Sequence, residues 1–594
     1  MAQYKAPLRD MQFVMHEVLN VENHYKSLPH FAEVDRDLVN SVLETGAQFA
    51  ENELSPINRS GDEEGCGFDD GVVTTPKGFK EAYAKFVELG LGSLAAPVEQ
   101  GGQGLPPSLG IAMSEMTGTA NWSWSMYPGL SHGAINTIAA HGTDEQKEIY
   151  LTKLVSGEWT GTMCLTESHA GSDLGIIRTK AEPQADGSYK ISGTKIFISA
   201  GEHDMAENIV HVVLARLPDA PKGTKGISLF LVPKFMPGSG ERNGVKCGSI
   251  EHKMGIKASA TCVMNFDGAT GFLIGPPNTG LNCMFTFMNT ARVGTALQGV
   301  CAAEGSFQGA LTYAKDRLAM RSLTGPKAPE KEADPIIVHP AVRQLLLTQK
   351  AFAEGGRLMV YWLSTFTDVL EGSESAEDKK AADDMMSMLT PIAKAFLTEV
   401  GYEAANHGVQ VYGGHGFIRE WGMEQIVRDT RIALLYEGTT QIQALDLLGR
   451  KVLQTQGALL RNFTKVVHKF CAANEGDAQM GEFVRPLAAL NKEWGDITMR
   501  IGMKAMSNPD EAGAAAVDYM MYSGYVTMAY LWAWMAKVAQ DKLAAGEGDA
   551  AFYKAKVQTA QFYFKKILPR TKAHVEIIDA GLESLNMAPE AFAF

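Results

Sequence analysis

The stretch SYKISGTKIFIS, Ser188 to Ser199, decides how this chain divides. Isoleucine, threonine, tyrosine and phenylalanine dominate it and a glycine interrupts it, which is strand composition rather than helix composition. IVHVVLAR (Ile209–Arg216) and GISLFLVP (Gly226–Pro233) are of the same kind, and Gly, Pro and Asp turns separate them. On either side the period changes. Upstream, DRDLVNSVLETGAQFAENEL (Asp35–Leu54) repeats apolar residues at helical spacing. Downstream, LNCMFTFMNTARVGTALQGVCAAEGSFQGALTYAKDRL (Leu281–Leu318) does the same. The predicted order is a helical block over 1–160, a compact β domain over 161–278, a helical block over 279–455 and a second one over 456–594. Two loops interrupt the helical blocks: one rich in Gly, Asp and Glu near residues 60–72, and the charged TGPKAPEKEADP (Thr324–Pro335).

A chain of 594 residues is long enough for several cores. Its net charge of −14 argues against a general nucleic-acid binder, which needs clustered Lys and Arg. The seven cysteines are scattered and form no Cys-x-x-Cys, so neither a metal site nor a disulfide framework is expected. A reducing cytoplasm fits this pattern. The N-terminal MAQYKAPLRDMQFVMHEV does not read as a secretory signal. YMMYSGYVTMAYLWAWMA (Tyr519–Ala536) carries no charge and approaches the length of a membrane span, but Tyr, Ser, Gly and Thr dilute it, and a buried helix is the expectation.

Two motifs mislead. GLGSLA (Gly90–Ala95) satisfies the loose dinucleotide pattern, but the helical FKEAYAKFVEL precedes it where a strand is required, so it reads as a turn. GLSHG (Gly129–Gly133) matches a nucleophile elbow without the strand that must lead into one. Ser131 is therefore not expected to be a nucleophile, and His132 reads as structural or pocket-lining.

Two others carry chemistry. In RIALLYEGTTQIQ (Arg431–Gln443) a single acid, Glu437, directly follows an apolar run. It could cap a helix or pair with Arg428 or Arg431. Alternatively it is a desolvated carboxylate, a stronger base when ionised, suited to removing a proton next to a carbonyl. TGTMCLTESHAGSDLG (Thr160–Gly175) gathers hydroxyls and glycines around Thr166, Glu167, Ser168, Ser172 and Asp173. It is either an ordinary turn or a binding loop for a polar ligand. Strand alternation then places Phe197 and Ser199 on one face, where they could hold a flat ring.

Taken together, APVEQGGQGL (96–105), HGTDEQKEIYLTKLVSGEW (141–159), CLTESHAGSD (164–173), ISGTKIFISAG (191–201) and VYGGHGFIREWGMEQIVRDTRIALLYEGTTQIQ (411–443) resemble the acyl-CoA dehydrogenase flavoprotein family over nearly the whole chain. The resemblance implies an α+β fold: an N-terminal helical domain, a middle β-barrel-like domain, a C-terminal four-helix bundle and, here, an additional C-terminal helical domain. It implies bound FAD. It implies that Glu437 takes the α-proton of an acyl-CoA thioester while the flavin accepts the β-hydrogen as hydride, giving a trans-2-enoyl-CoA. The backbone N–H of Glu437 would assist at the thioester oxygen. A family minority places its base on an earlier helix; the matching MNTARVG (288–294) offers no carboxylate.

Residue by residue, the resemblance assigns Met163, Leu165 and Thr166 to one side of the flavin and Phe197 and Ser199 to the other. Phe197 stands where a tryptophan is common. Thr439 and Gln441 match cofactor contacts beyond the base. Arg317, Gln410 and Gly414 match positions reaching the adenine or pyrophosphate half of FAD in a neighbouring subunit, with Arg321 competing for the arginine role in DRLAMRSLTG. Ser172, Arg292 and Tyr436 match substrate contacts. Shared cofactor contacts imply a homo-oligomer, and the block beyond 456 favours a dimer.

That block and YKAPLRDMQFVMHEV (4–18) resemble long bacterial members acting on long-chain or 3-methylmercaptopropionyl thioesters. The leading expectation is a dehydrogenase of medium- to long-chain fatty acyl-CoA in β-oxidation, with electron-transfer flavoprotein as acceptor. Alternatives are the 3-methylmercaptopropionyl-CoA reaction, an acyl-CoA oxidase and the DNA-binding flavoprotein branch. The basic stretch Lys554, Lys556, Lys565, Lys566, Arg570 and Lys572 reads as a solvated helix face, or else as a contact for an anionic partner or a membrane surface.

Overall fold

Thr143 shows how local sequence sets an element in this chain. Its hydroxyl accepts from the Gln146 N–H at 3.2 Å while the Gln146 side chain accepts from the Thr143 N–H at 3.0 Å, a capping box that starts the helix Asp144–Ser156. Gly157 ends that helix at φ +84°. The computed structural model describes residues 3–593. Two compact units make up the chain: one gathers 3–6 and 41–294, the other 7–40 and everything from Thr295 onward.

In the first unit, helices Ser55–Glu64, Phe79–Glu88, Pro107–Ala120 and Trp122–His141 precede Asp144–Ser156. The loop near 60–72 contains more order than the sequence suggested. A hairpin, β1 (Gly67–Asp69) and β2 (Val72–Thr74), turns through Asp70 and Gly71, both at positive φ. GLGSLA forms turns, and Ser131 sits inside the Trp122–His141 helix, its Oγ accepting from the Gly161 N–H at 3.0 Å. No elbow is formed there.

The sheet is seven-stranded: β3 (Trp159–Cys164), β4 (Lys180–Pro183), β5 (Tyr189–Ser199), β6 (Asn208–Ala215), β7 (Ser228–Pro233), β8 (Val245–Ile250) and β9 (Thr261–Ile274). Its order is β3-β6-β7-β9-β5-β4, with β8 on β9. β3 runs parallel to β6 with Trp159 opposite Asn208, and the other pairs are antiparallel. Every residue of β6 and β7 is buried, which explains their predominantly apolar sequences. The Ala181 N–H donates to the Arg216 carbonyl at 2.8 Å and the Arg216 N–H to the Thr179 carbonyl at 2.9 Å. These bonds bring β4 back to the end of β6 and give the barrel-like closure.

Two buried histidines sit in this domain. His203 shares a hydrogen bond with the Thr160 hydroxyl (2.9 Å) and His211 with that of Thr162 (2.8 Å). Burial pushes both imidazoles down to about 3 from an ordinary 6.5. The unfolded chain therefore binds protons that the folded one refuses, and stability is lost as pH falls from about 6.5 towards 3. We expect the urea midpoint to decline below pH 6.5, and the slope to flatten in His211→Gln; an unchanged slope would refute this assignment.

In the second unit, helices Pro340–Gly372 and Ala376–Tyr412 pack with the C-terminal part of the helix Gly280–Asp316. Gly299 and Gly401 allow a close crossing. A Cβ on Gly299 would lie 2.1 Å from the Leu397 carbonyl oxygen, and one on Gly401 2.4 Å from that of Gly299. The additional block is built on Asp510–Ala545, whose residues 519–536 are buried except for Met521 and Trp534. It joins the bundle directly: Trp532 Nε1 donates to the Ala351 carbonyl at 3.1 Å, and the Phe396 ring fills the space beside Gly524. Among the described residues no helix is long and apolar enough to cross a membrane.

The basic stretch is not one solvated face. Lys556 is buried between Asp10 and Glu354, and Arg570 pairs with Glu403 at 2.7 Å.

Candidate active site

The Thr160–Gly175 loop is a built structure rather than a plain turn. At its centre Glu167, only 5 % exposed, accepts from the N–H groups of Arg178 (2.7 Å) and Thr179 (3.0 Å), the Thr179 hydroxyl (2.6 Å) and Lys195 Nζ (2.9 Å). Burial alone would raise the Glu167 pKa, but the Lys195 ammonium and these donors hold it at about 2. Lys195, fully buried on β5, also donates to the Leu165 carbonyl at 2.9 Å. The Ile196 N–H donates to the Thr166 carbonyl at 2.9 Å. These bonds lock Leu165–Glu167 to β5. Met163 and Thr166 are half-buried and Leu165 is buried.

β5 is irregular where it meets this loop. Its register with β9 shifts between Lys195 and Ile198, a bulge. Phe197 lies there at φ +59°, a conformation rarely adopted by side chains of this size, and the residue is 58 % exposed. Phe197 is exposed, Ile198 buried and Ser199 half-buried. An aromatic ring held out of the core at a strained position, beside a fixed loop, suits a planar ring system and fits a flavin. Ser172 is exposed on the loop, and Arg292, in the same unit, is buried on the Gly280–Asp316 helix.

In the other unit, Glu437 lies between a short 3₁₀ turn, Ile432–Leu434, and the helix Thr440–Leu445, which Thr439 caps by accepting from the Ile442 N–H at 3.3 Å. Glu437 and Gly438 are consecutive left-handed residues, at φ +56° and +86°. Such a conformation costs a non-glycine residue about 1–3 kcal/mol and gathers at functional positions. Glu437 is half-buried, and its carbonyl accepts from Gln443 Nε2 at 2.9 Å. The Tyr436 hydroxyl donates to the Gln298 side chain. Gln441 points to solvent.

Arg317, Gln410 and Gly414 share one exposed corner of this unit. An aromatic box assembles it: Tyr313 stacks on Tyr412 with ring centroids 4.1 Å apart, His415 on Trp421 at 4.4 Å, and the Tyr313 hydroxyl bonds His415 Nδ1 at 3.0 Å. Each candidate is within four residues of a box member. Arg317 and Arg321 differ in their surroundings. Arg321 donates to the Ala328 carbonyl (2.9 Å) and to the buried Asp334 (3.2 Å), around which the whole 317–335 loop folds. Arg317 remains solvent-facing.

Three positions escaped sequence reading: Lys195, Lys394 and Gln443. All are polar side chains with no exposed surface, and a lone lysine within the apolar TPIAKAFL is the one signal that pointed to such a role.

A helical domain, a barrel-like β domain with a flavin-fitting loop, and a helical bundle carrying a strained glutamate define a flavin-dependent acyl-thioester dehydrogenase. Comparison with known proteins agrees. Family models match in order: acyl-CoA dehydrogenase N-terminal domain (39–158), middle domain (162–269), C-terminal domain (278–453) and an acetyl-CoA dehydrogenase C-terminal-like region (463–589). The chain is 42 % identical to 3-methylmercaptopropionyl-CoA dehydrogenase of Ruegeria pomeroyi, over 97 % of this chain and 98 % of that protein. It is 34 % identical to the broad-specificity linear acyl-CoA dehydrogenase FadE5 of Mycobacterium tuberculosis, over 99 % and 100 %. In fold it is similar to Caenorhabditis elegans ACDH-11 in complex with C11-CoA (TM-score 0.78, 18 % identity, 98 % and 96 % covered). It is also similar to a Bacillus anthracis acyl-CoA dehydrogenase complexed with FAD (TM-score 0.75, 22 %, 94 % and 90 %). This chain belongs to the acyl-CoA dehydrogenase family and is an FAD-dependent oxidoreductase.

Proposed function

We propose that this enzyme dehydrogenates a short acyl-CoA thioester between Cα and Cβ, and that 3-methylmercaptopropionyl-CoA is its first-choice substrate. The observation that carries this choice is the 42 % identity extending over 98 % of the 3-methylmercaptopropionyl-CoA dehydrogenase. It favours that thioester over the medium- and long-chain fatty acyl-CoA expected from sequence. A linear fatty acyl-CoA is the second reading, supported by the full-length likeness to the broad-specificity linear enzyme.

In this reading Glu437 removes the α-proton, and its backbone N–H binds the thioester oxygen as negative charge builds there. FAD, when bound, supplies the hydride-accepting centre. Met163, Leu165, Thr166, Phe197 and Ser199 orient the isoalloxazine, while Thr439 and Gln441 contact the cofactor beyond the base. Arg317, Gln410 and Gly414 serve the adenine and pyrophosphate half in a neighbouring subunit of a homodimer. Ser172 touches the CoA chain, and Arg292 and Tyr436 lie near the thioester and pantetheine. Electrons leave to an electron-transfer flavoprotein, and the enzyme works in the cytoplasm.

Anaerobic titration of the yellow protein tests the substrate choice. Flavin absorbance should bleach with 3-methylmercaptopropionyl-CoA at lower concentration than with butyryl-, octanoyl- or palmitoyl-CoA. Bleaching only with the longer chains would sink the thioether reading. Slow reoxidation of the reduced protein in air would separate a dehydrogenase from an oxidase.

A further inference from the structure

Lys394 lies in the middle of the Ala376–Tyr412 helix with no exposed surface. Its Nζ donates to two backbone carbonyls of the catalytic loop, Ala433 at 2.8 Å and Gly438 at 2.6 Å. These acceptors bracket Leu434–Glu437. The ammonium therefore ties the loop where it leaves the 3₁₀ turn and again immediately after Glu437. Gln443, also without exposed surface, donates to the Glu437 carbonyl at 2.9 Å. Gly438 closes the cradle: a Cβ there would lie 2.6 Å from Gln443 Nε2.

Burying an ammonium is costly, and an apolar side chain of similar volume would fill the same space at no greater cost. Volume alone does not call for a lysine here. What a methionine could not do is hold two carbonyls inward while Glu437 and Gly438 stay left-handed. A peptide relaxing from that strained conformation would swing the Glu437 side chain and N–H away from their present directions. We propose that Lys394 is a positioning residue for the catalytic base: it staples the 433–438 loop and, together with Gln443, fixes the direction of the Glu437 carboxylate and N–H.

This inference rests on the assignment of Glu437 as base, so the test carries Glu437→Gln as a control. Flavin reduction is followed anaerobically in Lys394→Met and Gln443→Met, with 3-methylmercaptopropionyl-CoA and butyryl-CoA as probes. Both variants should keep FAD and half-saturate near the parent concentration. Reduction at saturation should slow by about 100-fold in Lys394→Met, the scale of an ångström-sized misplacement of a reacting group, and by less in Gln443→Met. If Glu437→Gln reduces its flavin at the parent rate, the base assignment fails. If Glu437→Gln is dead while Lys394→Met and Gln443→Met react at the parent rate, or lose only affinity, the base assignment stands and the staple is overturned. If Lys394→Met does not retain FAD, Gln443→Met decides: slowed reduction at unchanged half-saturation supports the staple, and a parent rate overturns it.

Discussion

Glu437→Gln is expected to purify yellow, with FAD bound and thermal stability close to the parent, yet to lose about 10³–10⁴-fold in turnover. The amide keeps the shape of the side chain, so the strained loop, the Lys394 and Gln443 bonds and the Thr439 cap should persist. What disappears is the proton acceptor, and a positioned general base contributes up to about 10⁴-fold. Steady-state rates and anaerobic flavin bleaching with the same thioester provide the check. A Glu437→Gln protein that bleaches at the parent rate would mean that another group removes the α-proton. MNTARVG, where a family minority carries its base, contains no carboxylate to take over.

The largest stability effect should come from Asp10. Its carboxylate, 7 % exposed, meets both Arg357 and Lys556. Arg357 continues to Glu304 at 2.8 Å and Lys556 to Glu354 at 2.7 Å. The network ties the N-terminal segment to the bundle and to the additional helical block. Asp10→Asn leaves two buried cations short of one negative charge, and breaking such a pair costs about 3–5 kcal/mol. Urea unfolding followed by circular dichroism should show that loss. A change within about 0.5 kcal/mol, the scale of an ordinary surface substitution, would mean that water or neighbouring carboxylates compensate. The pH arm has a definite sign. Burial works to raise the Asp10 pKa, but Lys556 and Arg357 overcome it and hold it at about 2, against an ordinary 3.8. A depressed carboxyl contributes fully above about pH 3.8, and its contribution disappears as pH falls through 2. The parent and Asp10→Asn should therefore converge at the acid end of that window.

The order of helical and β blocks was legible in the amino-acid pattern, because side-chain periodicity changes from helical spacing to strand composition and back. Through its ordered motifs the sequence also determined the family and the cofactor. The buried nature of 519–536 was legible from the polar residues diluting that run. The positive φ of Glu437 was not legible, since no local residue type demands it, and neither were the bonds that Lys394 and Gln443 make to the backbone around it. Period-two reasoning placed Phe197 and Ser199 on one face, but it missed the bulge that turns the Phe197 ring outward, because a bulge is set by pairing with β9. That Asp334, 13 residues beyond Arg321, folds the loop around itself and engages Arg321 while Arg317 stays solvent-facing was not legible either. Lysines 195 and 556 look like ordinary polar residues in the chain, and Lys394 stands out only by its apolar neighbours. Only tertiary structure decided that each is a buried donor, because a buried ammonium is tolerated only where distant acceptors converge on it.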